Sequence, residues 1–375
     1  MTPATARIPA SGSPFSRASL VAYTILIVYA SLYPFSGWQF DTLSTYLDQI
    51  KQWPHYLIRF DILVNVLGYI PFGALIVFSV YPRIPRWWAM CIAIIAGVTM
   101  SWAMESLQFF LPSRVTSLLD LTTNSLGALV GAIAGAILAP SLLTNGKIDE
   151  IKQRWFWRES SRELVILALW PLAQIYPQAF LFGHGQVLGP TAQWLESMLE
   201  IELGLNQWLL QHINLSAEKY LISEAIITAC GCAGAVLFGL SLLNRHAPKF
   251  RLSLLLLAGG FAIKALASAL MFGPDDAFLW LTPGAQGGII IGVLILYGFS
   301  FTPVQAQKRL AGLLLLISFV LVNLIPSNPY FLSTMQTMSQ GKMLNFYGAA
   351  QFLAVMWPLA AMWYLGKPLS TSRKP

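Results

Sequence analysis

Long apolar segments separated by short polar ones run along the whole chain. Because about 20 consecutive apolar residues cross the hydrocarbon core of a bilayer as a helix, the pattern predicts an all-α fold, a polytopic bundle of transmembrane helices. We expect about ten spans, at 18–36, 57–81, 87–111, 118–142, 164–182, 221–243, 252–272, 278–300, 310–325 and 345–365.

Composition agrees with this pattern. Of the 375 residues, 56% are hydrophobic and only 10% are charged, whereas about a quarter of the residues of a soluble domain are charged. The net charge of +7 lies in short loops, so we interpret it as a topology signal and expect no nucleic acid partner. The three cysteines lie inside apolar segments and the four histidines are scattered, which predicts no disulfide framework, no metal site and no cofactor.

The distribution of Lys and Arg predicts the orientation. Of the 23 such residues, Lys264 lies inside the seventh span and 17 lie in one set of loops. The opposite set holds Lys51, Arg59, Arg114, Lys219 and Lys342. Since positive residues stay in the cytoplasm, both termini are predicted to be cytoplasmic. The first segment follows basic residues, as a signal peptide does, but it has no convincing cleavage site at Tyr29 to Ser31, so we expect an uncleaved first helix.

A charged connection divides the predicted spans. We interpret 143–163 as a cytoplasmic linker between a four-helix module at 18–142 and a module of about six helices at 164–365. In the second module, 191–213 has apolar residues at helical spacing. This segment is predicted to be an amphipathic helix that rests on the outer leaflet or covers the outer face as a lid.

Polar side chains collect at the predicted outer ends of spans two, three and four. On the third span Glu105 and Gln108 share a face, and on the fourth Asp120 and Asn124 are one turn apart. The full set is Arg59, Asp61, Asn65, Glu105, Gln108, Arg114, Asp120 and Asn124. Ionisable groups in a membrane are costly and mark functional sites by default, and arginine can grip a carboxylate or phosphate with two hydrogen bonds. The alternative is that these residues are interfacial anchors and interhelical hydrogen-bonding groups.

Two of these helices begin with similar sequences. Residues 61–68 match residues 120–127 at Asp, Asn, Leu and Gly, which suggests a repeated hairpin with two Asp-Asn pairs at similar depth. Small residues let helices approach closely, and proline is expected to kink the second helix. The residues assigned to helix packing are Gly68, Pro71, Gly73, Gly127, Gly131 and Gly135.

Together these residues resemble the VanZ-like family of bacterial membrane proteins over about residues 20–140. The resemblance rests on Asp61, Asn65, Tyr69 to Gly73, Glu105, Gln108, Arg114 and Asp120 to Gly131 at their spacings. It implies a multi-pass protein of the bacterial cytoplasmic (inner) membrane with a cell-envelope role. The family's first known member is associated with resistance to the glycopeptide teicoplanin.

The second module has few polar residues inside its spans. Lys264 lies too deep to reach the interface easily, so we expect an ion pair with Glu224, Asp275 or Asp276. Residues 281–288 hold a proline and three glycines, which predicts a break in the eighth helix.

Three functions follow from these residues. The first is binding of an extracytoplasmic envelope component, a lipid-linked cell-wall or glycan precursor or a membrane lipid head group. The second is an enzyme acting on such a substrate, with Glu105 and Asp120 as acid and base, although no nucleophile with an adjacent base is visible and we assign no catalytic residue. An ion-coupled transporter ranks third, because the inner parts of spans two and four are apolar.

Overall fold

The structure is a computed structural model. It describes residues 13–35, 37–39, 59–144, 154–157, 160–199, 204, 208, 212–213, 215–327, 331 and 344–368. Most of these residues are helical, and within them the β-structure is limited to one isolated bridge between Phe156 and Leu243. The helices are α1 (Pro14–Leu32), α2 (Arg59–Val80), α3 (Arg86–Gln108), α4 (Leu118–Ala139), α5 (Ser161–Ala173), α6 (Leu188–Leu199), α7 (Ala217–Ser241), α8 (Lys249–Phe272), α9 (Pro283–Phe299), α10 (Val304–Leu324) and α11 (Leu344–Gly366).

The chain is a multi-pass membrane protein. Within the described residues, eight helices are long and apolar enough to cross a bilayer: α1, α2, α3, α4, α7, α8, α10 and α11. The expected number of ten is not confirmed, because two of the predicted spans form shorter helices within the described residues. The eighth span becomes α9, which has 17 residues, and the fifth becomes α5, which has 13.

The fifth span is short because its second half is a loop. Helix α5 contains Pro171 and ends at Ala173, and the Gln174 side chain donates a hydrogen bond back to the carbonyl of Trp170 at 3.1 Å. Residues 177–185 are mostly buried without forming a helix. The apolar residues that we predicted to form the second half of the fifth span therefore pack inside the protein as a buried loop.

The chain forms two compact units. The first comprises residues 1–154 with Leu344–Ala349, and the second comprises 155–343 with residues 350–375. Residues 145–153 and 158–159 of the expected linker lie outside the described residues, so the linker boundaries stay a prediction. Most of 191–213 after α6 lies outside them as well.

In the first unit, α2 and α4 form the most extensive helix pair. A Cβ built on Gly127 would lie 2.3 Å from the Val66 carbonyl oxygen, and one on Gly131 would lie 2.0 Å from that of Ile70. These contacts advance in the same direction along both helices, so α2 and α4 are parallel. Helix α3 packs against both helices.

The other glycines assigned to helix packing differ in how closely a neighbouring helix approaches them. The backbone at Gly73 approaches that of Ala128, and Gly135 approaches Ala74, whereas a Cβ on Gly68 would meet nothing within 4 Å. Pro71 lies inside a continuous α2. The Tyr23 hydroxyl donates to the Gly68 carbonyl at 2.7 Å, in the turn where a proline weakens backbone pairing.

In the second unit, α7 is the central helix and packs against α9, α10, α8 and α5. Nearly all its residues from 227 onward are buried. Helix α9 begins at Pro283, whose predecessor Thr282 caps it by accepting a hydrogen bond from the amide of Ala285 at 3.2 Å. Proline suits the first turn of a helix, so 281–288 starts a helix where we expected a broken one.

Candidate functional site

Arg114 lies between α3 and α4 and holds the end of α1. Its Nε donates to the carbonyl of Tyr33 at 2.9 Å, and its Nη2 donates to the carbonyls of Ala30 at 3.0 Å and Tyr33 at 2.6 Å. The last carbonyls of a helix lack intrahelical partners and carry partial negative charge. Burial lowers the pKa of the Arg114 guanidinium, which stays charged because arginine does not lose its proton in proteins.

Gln108 also binds the end of α1. Its side chain is buried, and its Nε2 donates to the carbonyl of Ser31 at 2.8 Å. Gln108 and Arg114 thus bind three carbonyls within residues 30–33. These hydrogen bonds fix the end of α1 against the α3–α4 connection. Arg114 donates to backbone carbonyls here, and its expected contact with a ligand phosphate or carboxylate stays a prediction.

Glu105 caps α4. The side chain is 2% exposed, and its Oε2 accepts a hydrogen bond from the amide of Ser117 at 3.0 Å. Ser117 is the N-cap residue of α4, with its own hydroxyl accepting from the amide of Leu119 at 3.1 Å. A carboxylate at a helix N-terminus is favourable, so Glu105 ties the end of α3 to the start of α4.

The two Asp-Asn pairs meet between α2 and α4. Asn65 donates through Nδ2 to the Oδ1 of Asp120 at 2.8 Å, which joins one pair to the other. Asp120 is half-buried and Asp61 is exposed. We name Asp61, Asn65, Asp120 and Asn124 the Asp-Asn cluster. The side chain of Arg59 lies outside the described residues.

Asn124 adds an unsatisfied acceptor to this cluster. Its side chain is 7% exposed, and its buried Oδ1 has no hydrogen-bond partner among the described residues. Tyr69, one turn beyond Asn65 on α2, also has a buried hydroxyl oxygen and was not in the predicted site. An unsatisfied buried polar atom costs about 1–3 kcal/mol. The cluster therefore offers carboxylate and amide oxygens as acceptors.

Within the part of the chain that the structure describes, no group of three or more His, Cys, Asp or Glu side chains has the geometry to hold a metal ion. The cluster's chemistry is hydrogen bonding, with two carboxylates and two amides on parallel helices.

Residues 19–139 match the VanZ/LLP1 family model. The predicted resemblance is thereby confirmed over α1 to α4, and the match ends with the last residue of α4. The VanZ/LLP1-like region contains the whole Asp-Asn cluster, while the second unit lies outside it. No curated protein and no solved structure matches the chain.

Outside the VanZ/LLP1-like region, Lys264 and Glu224 do not pair as we expected. The Nζ of Lys264 donates to the carbonyl of Tyr176 at 3.1 Å, and the Oε1 of Glu224 accepts from the hydroxyl of Thr282 at 2.6 Å. Asp275 is exposed, and Asp276 accepts from Ser268 through its backbone carbonyl at 2.8 Å. The expectation was wrong because the loop after α5 supplies an acceptor that lies 88 residues from Lys264 in sequence.

Proposed function

We propose that the VanZ/LLP1-like region binds a hydrogen-bond-donating group of an extracytoplasmic cell-envelope component. The donor is a sugar hydroxyl of a lipid-linked glycan or the ammonium of a lipid head group. The charges of the loops predict that the Asp-Asn cluster lies at the outer end of the bundle, where such components are exposed.

The observation that carries this proposal is the acceptor chemistry of the cluster. The hydrogen bond that Asp120 accepts comes from the neutral amide of Asn65, and the buried Oδ1 of Asn124 has no partner among the described residues. A ligand hydroxyl or ammonium would satisfy both, and a site built to hydrogen-bond a hydroxyl or amine rejects an analogue that lacks it.

The roles of the neighbouring residues narrow the ligand class. Arg114 binds the carbonyls of Ala30 and Tyr33, and Glu105 caps α4, so both act on the scaffold. This favours recognition of hydroxyl or amino groups over recognition of phosphate. It also moves the proposed contacts from the original eight residues to the four of the cluster.

The test compares two lipids that differ only in the group to be recognised. Full-length protein in detergent is titrated with an undecaprenyl-diphosphate-linked disaccharide and with undecaprenyl diphosphate. We expect the glycan-bearing lipid to bind at least tenfold more tightly, because the second lipid lacks the hydroxyls. Equal affinities would contradict the proposal for a glycan. A matching comparison of phosphatidylethanolamine with phosphatidylglycerol tests the ammonium.

Two variants assign the binding to the cluster. Asp120→Asn keeps an oxygen for Asn65 but removes the charge, and Asn124→Leu removes the unsatisfied oxygen at similar volume. Each is expected to weaken binding at least tenfold, while Asn124→Leu keeps or raises the melting temperature because it removes a buried polar atom without a partner. Thr122→Ala, at an exposed position on α4, is the matched control. Wild-type affinity in both cluster variants would refute the assignment.

A further inference from the structure

The second unit contains a cavity of about 780 Å³. Ligand sites in proteins commonly have volumes of about 300–1,000 Å³, so this cavity can hold a molecule the size of a lipid head group with part of its chains. Its walls come from the loop after α5, from the ends of α7, α8 and α9 with the residues that precede α7 and α9, and from residues that follow α10. None of the residues that line this cavity belongs to the Asp-Asn cluster.

One wall carries a buried cation. Lys264 is 5% exposed and lines the cavity. Its ammonium has three N–H donors, so the carbonyl of Tyr176 at 3.1 Å does not saturate it. A buried ammonium is costly unless it is paired and fully hydrogen-bonded. An anion inside the cavity would supply what the backbone does not.

Another wall carries a buried carboxylate. Glu224 is 7% exposed and lines the same cavity. The Thr282 hydroxyl donates to its Oε1 at 2.6 Å, and a Cβ on Gly284 would lie 2.2 Å from its Oε2. Thr282 and Gly284 at the start of α9 thus set where the carboxylate lies. A carboxylate can accept further hydrogen bonds.

The remaining lining suits a molecule with an apolar part. Gln178 lines the same cavity. It is 7% exposed, and its Oε1 is buried without a hydrogen bond among the described residues, which adds an acceptor to the lining. Met271, Phe272 and Trp280 provide apolar surface. The loop that carries Tyr176 and Gln178 is also anchored by His184.

His184 is held as a neutral ring. Its Nδ1 lies 3.0 Å from the carbonyl of Phe182, and its Nε2 lies 2.9 Å from the Nε2 of Gln174. The ring therefore donates through Nδ1 and accepts from Gln174 through Nε2. Burial, with the Lys264 charge nearby, lowers its pKa to about 3. The loop thus contributes fixed neutral groups, and the amine and the carboxyl group that line the cavity are those of Lys264 and Glu224.

We propose that this cavity binds a zwitterionic phosphoethanolamine head group, with its phosphate at Lys264 and its ammonium at Glu224 and Gln178. Opposite charges on separate walls match a ligand that carries both signs, and each ligand charge compensates a buried protein charge. Lysine is a common phosphate ligand. The head group comes from a bilayer lipid or from the free phosphodiester, and both present the same charges.

The binding experiment uses full-length protein in detergent and calorimetric titration. The probes are dihexanoyl phosphatidylethanolamine, dihexanoyl phosphatidylglycerol and water-soluble glycerophosphoethanolamine. We expect at least one ethanolamine probe to bind at least tenfold more tightly than phosphatidylglycerol, which has the phosphate but no ammonium. Binding of the lipid alone identifies a lipid site, and similar binding of the soluble probe identifies a head-group site. No binding of either ethanolamine probe, or equal binding of phosphatidylglycerol, would overturn the proposal.

Variants locate this binding. Lys264→Gln keeps a donor for Tyr176 and Glu224→Gln keeps an acceptor for Thr282, so both preserve the local hydrogen bonds while removing a charge. Each is expected to raise the Kd of the ethanolamine probe at least tenfold. Glu218→Gln and Lys219→Gln, at exposed positions of α7 that do not line the cavity, are the matched controls and should bind as the wild type does.

Two further variants make the result decisive. Gly284→Ala retains both charges but displaces the Glu224 carboxylate, so it should also weaken binding, which provides a second test if Glu224→Gln fails to fold. Thr122→Ala, at an exposed position on α4 outside both proposed sites, should leave the binding unchanged. If Asp120→Asn abolishes binding while Lys264→Gln and Glu224→Gln do not, the ligand belongs to the first unit, and the present inference is wrong while the proposed function stands.

Discussion

At the end of α1, backbone carbonyls accept hydrogen bonds from side chains that lie about 80 residues away in sequence. Arg114 binds those of Ala30 and Tyr33, and Gln108 binds that of Ser31. Hydrogen bonds to charged groups contribute more than neutral ones. At the residue scale, the polar set therefore divides into groups that hold the scaffold and groups of the Asp-Asn cluster that remain available to a ligand.

Replacement of Arg114 should consequently reduce stability. Arg114→Leu removes the charged donor from the carbonyls of Ala30 and Tyr33, and we expect a loss of about 2–3 kcal/mol in the free energy of unfolding. Thermal denaturation of the purified protein in detergent measures this loss, and Arg83→Leu, at an exposed position before α3, is the control. A normal melting temperature combined with lost ligand binding would instead assign Arg114 to the ligand.

At the scale of elements, the α2–α4 pair brings the two Asp-Asn pairs together. The helices are parallel, and glycines on α4 let its backbone reach the carbonyls of Val66 and Ile70 on α2. In a membrane, close backbone packing supplies much of the force between helices, because lipid is as apolar as the side chains. The hydrogen bond from Asn65 to Asp120 depends on this close approach.

A methyl group at this interface should separate the helices. Gly131→Ala would place a Cβ 2.0 Å from the carbonyl oxygen of Ile70, so we expect a loss of about 1–3 kcal/mol, as for other overpacked sites. Gly68→Ala, where a Cβ would meet nothing within 4 Å, is the matched control. Chemical denaturation of both variants makes the comparison, and equal stability would show that the pair tolerates separation.

At the scale of the whole molecule, the proposed function depends on the orientation in the membrane. The 23 residues of α3 extend over about 34 Å at 1.5 Å per residue, so Arg83 and Ser113 lie beyond opposite ends of a span. The loop charges predict that Ser113 faces the outside and Arg83 the cytoplasm.

Cysteine labelling of intact cells tests this orientation. A membrane-impermeant maleimide should label Ser113→Cys directly and Arg83→Cys only after permeabilisation, since both positions are exposed. The parent protein with its three native cysteines gives the background. The reverse pattern would place the Asp-Asn cluster on the cytoplasmic side and exclude an extracytoplasmic ligand.

The membrane class and most of the helices could be predicted from the sequence. Hydrophobic length is a local property, so α2, α3, α4 and α7 lie close to their predicted ranges. The segment 164–182 was harder, because a buried loop and a membrane span are equally apolar. Its true end at Ala173 depends on surroundings that are distant in sequence.

The sequence by itself determined that this is a helical membrane protein with a VanZ-like region, and that Asp61, Asn65, Asp120 and Asn124 occupy equivalent turns of two helices. Hydropathy and helical periodicity act over neighbouring residues, so they can be read from the chain. Only the tertiary structure decided which groups pair: Arg114 with the end of α1, Lys264 with Tyr176, and Glu224 with Thr282. Each of these hydrogen bonds joins segments that are distant in sequence, so the partner depends on how the chain folds. A buried charged group can be compensated by a backbone carbonyl or a hydroxyl as well as by an opposite charge.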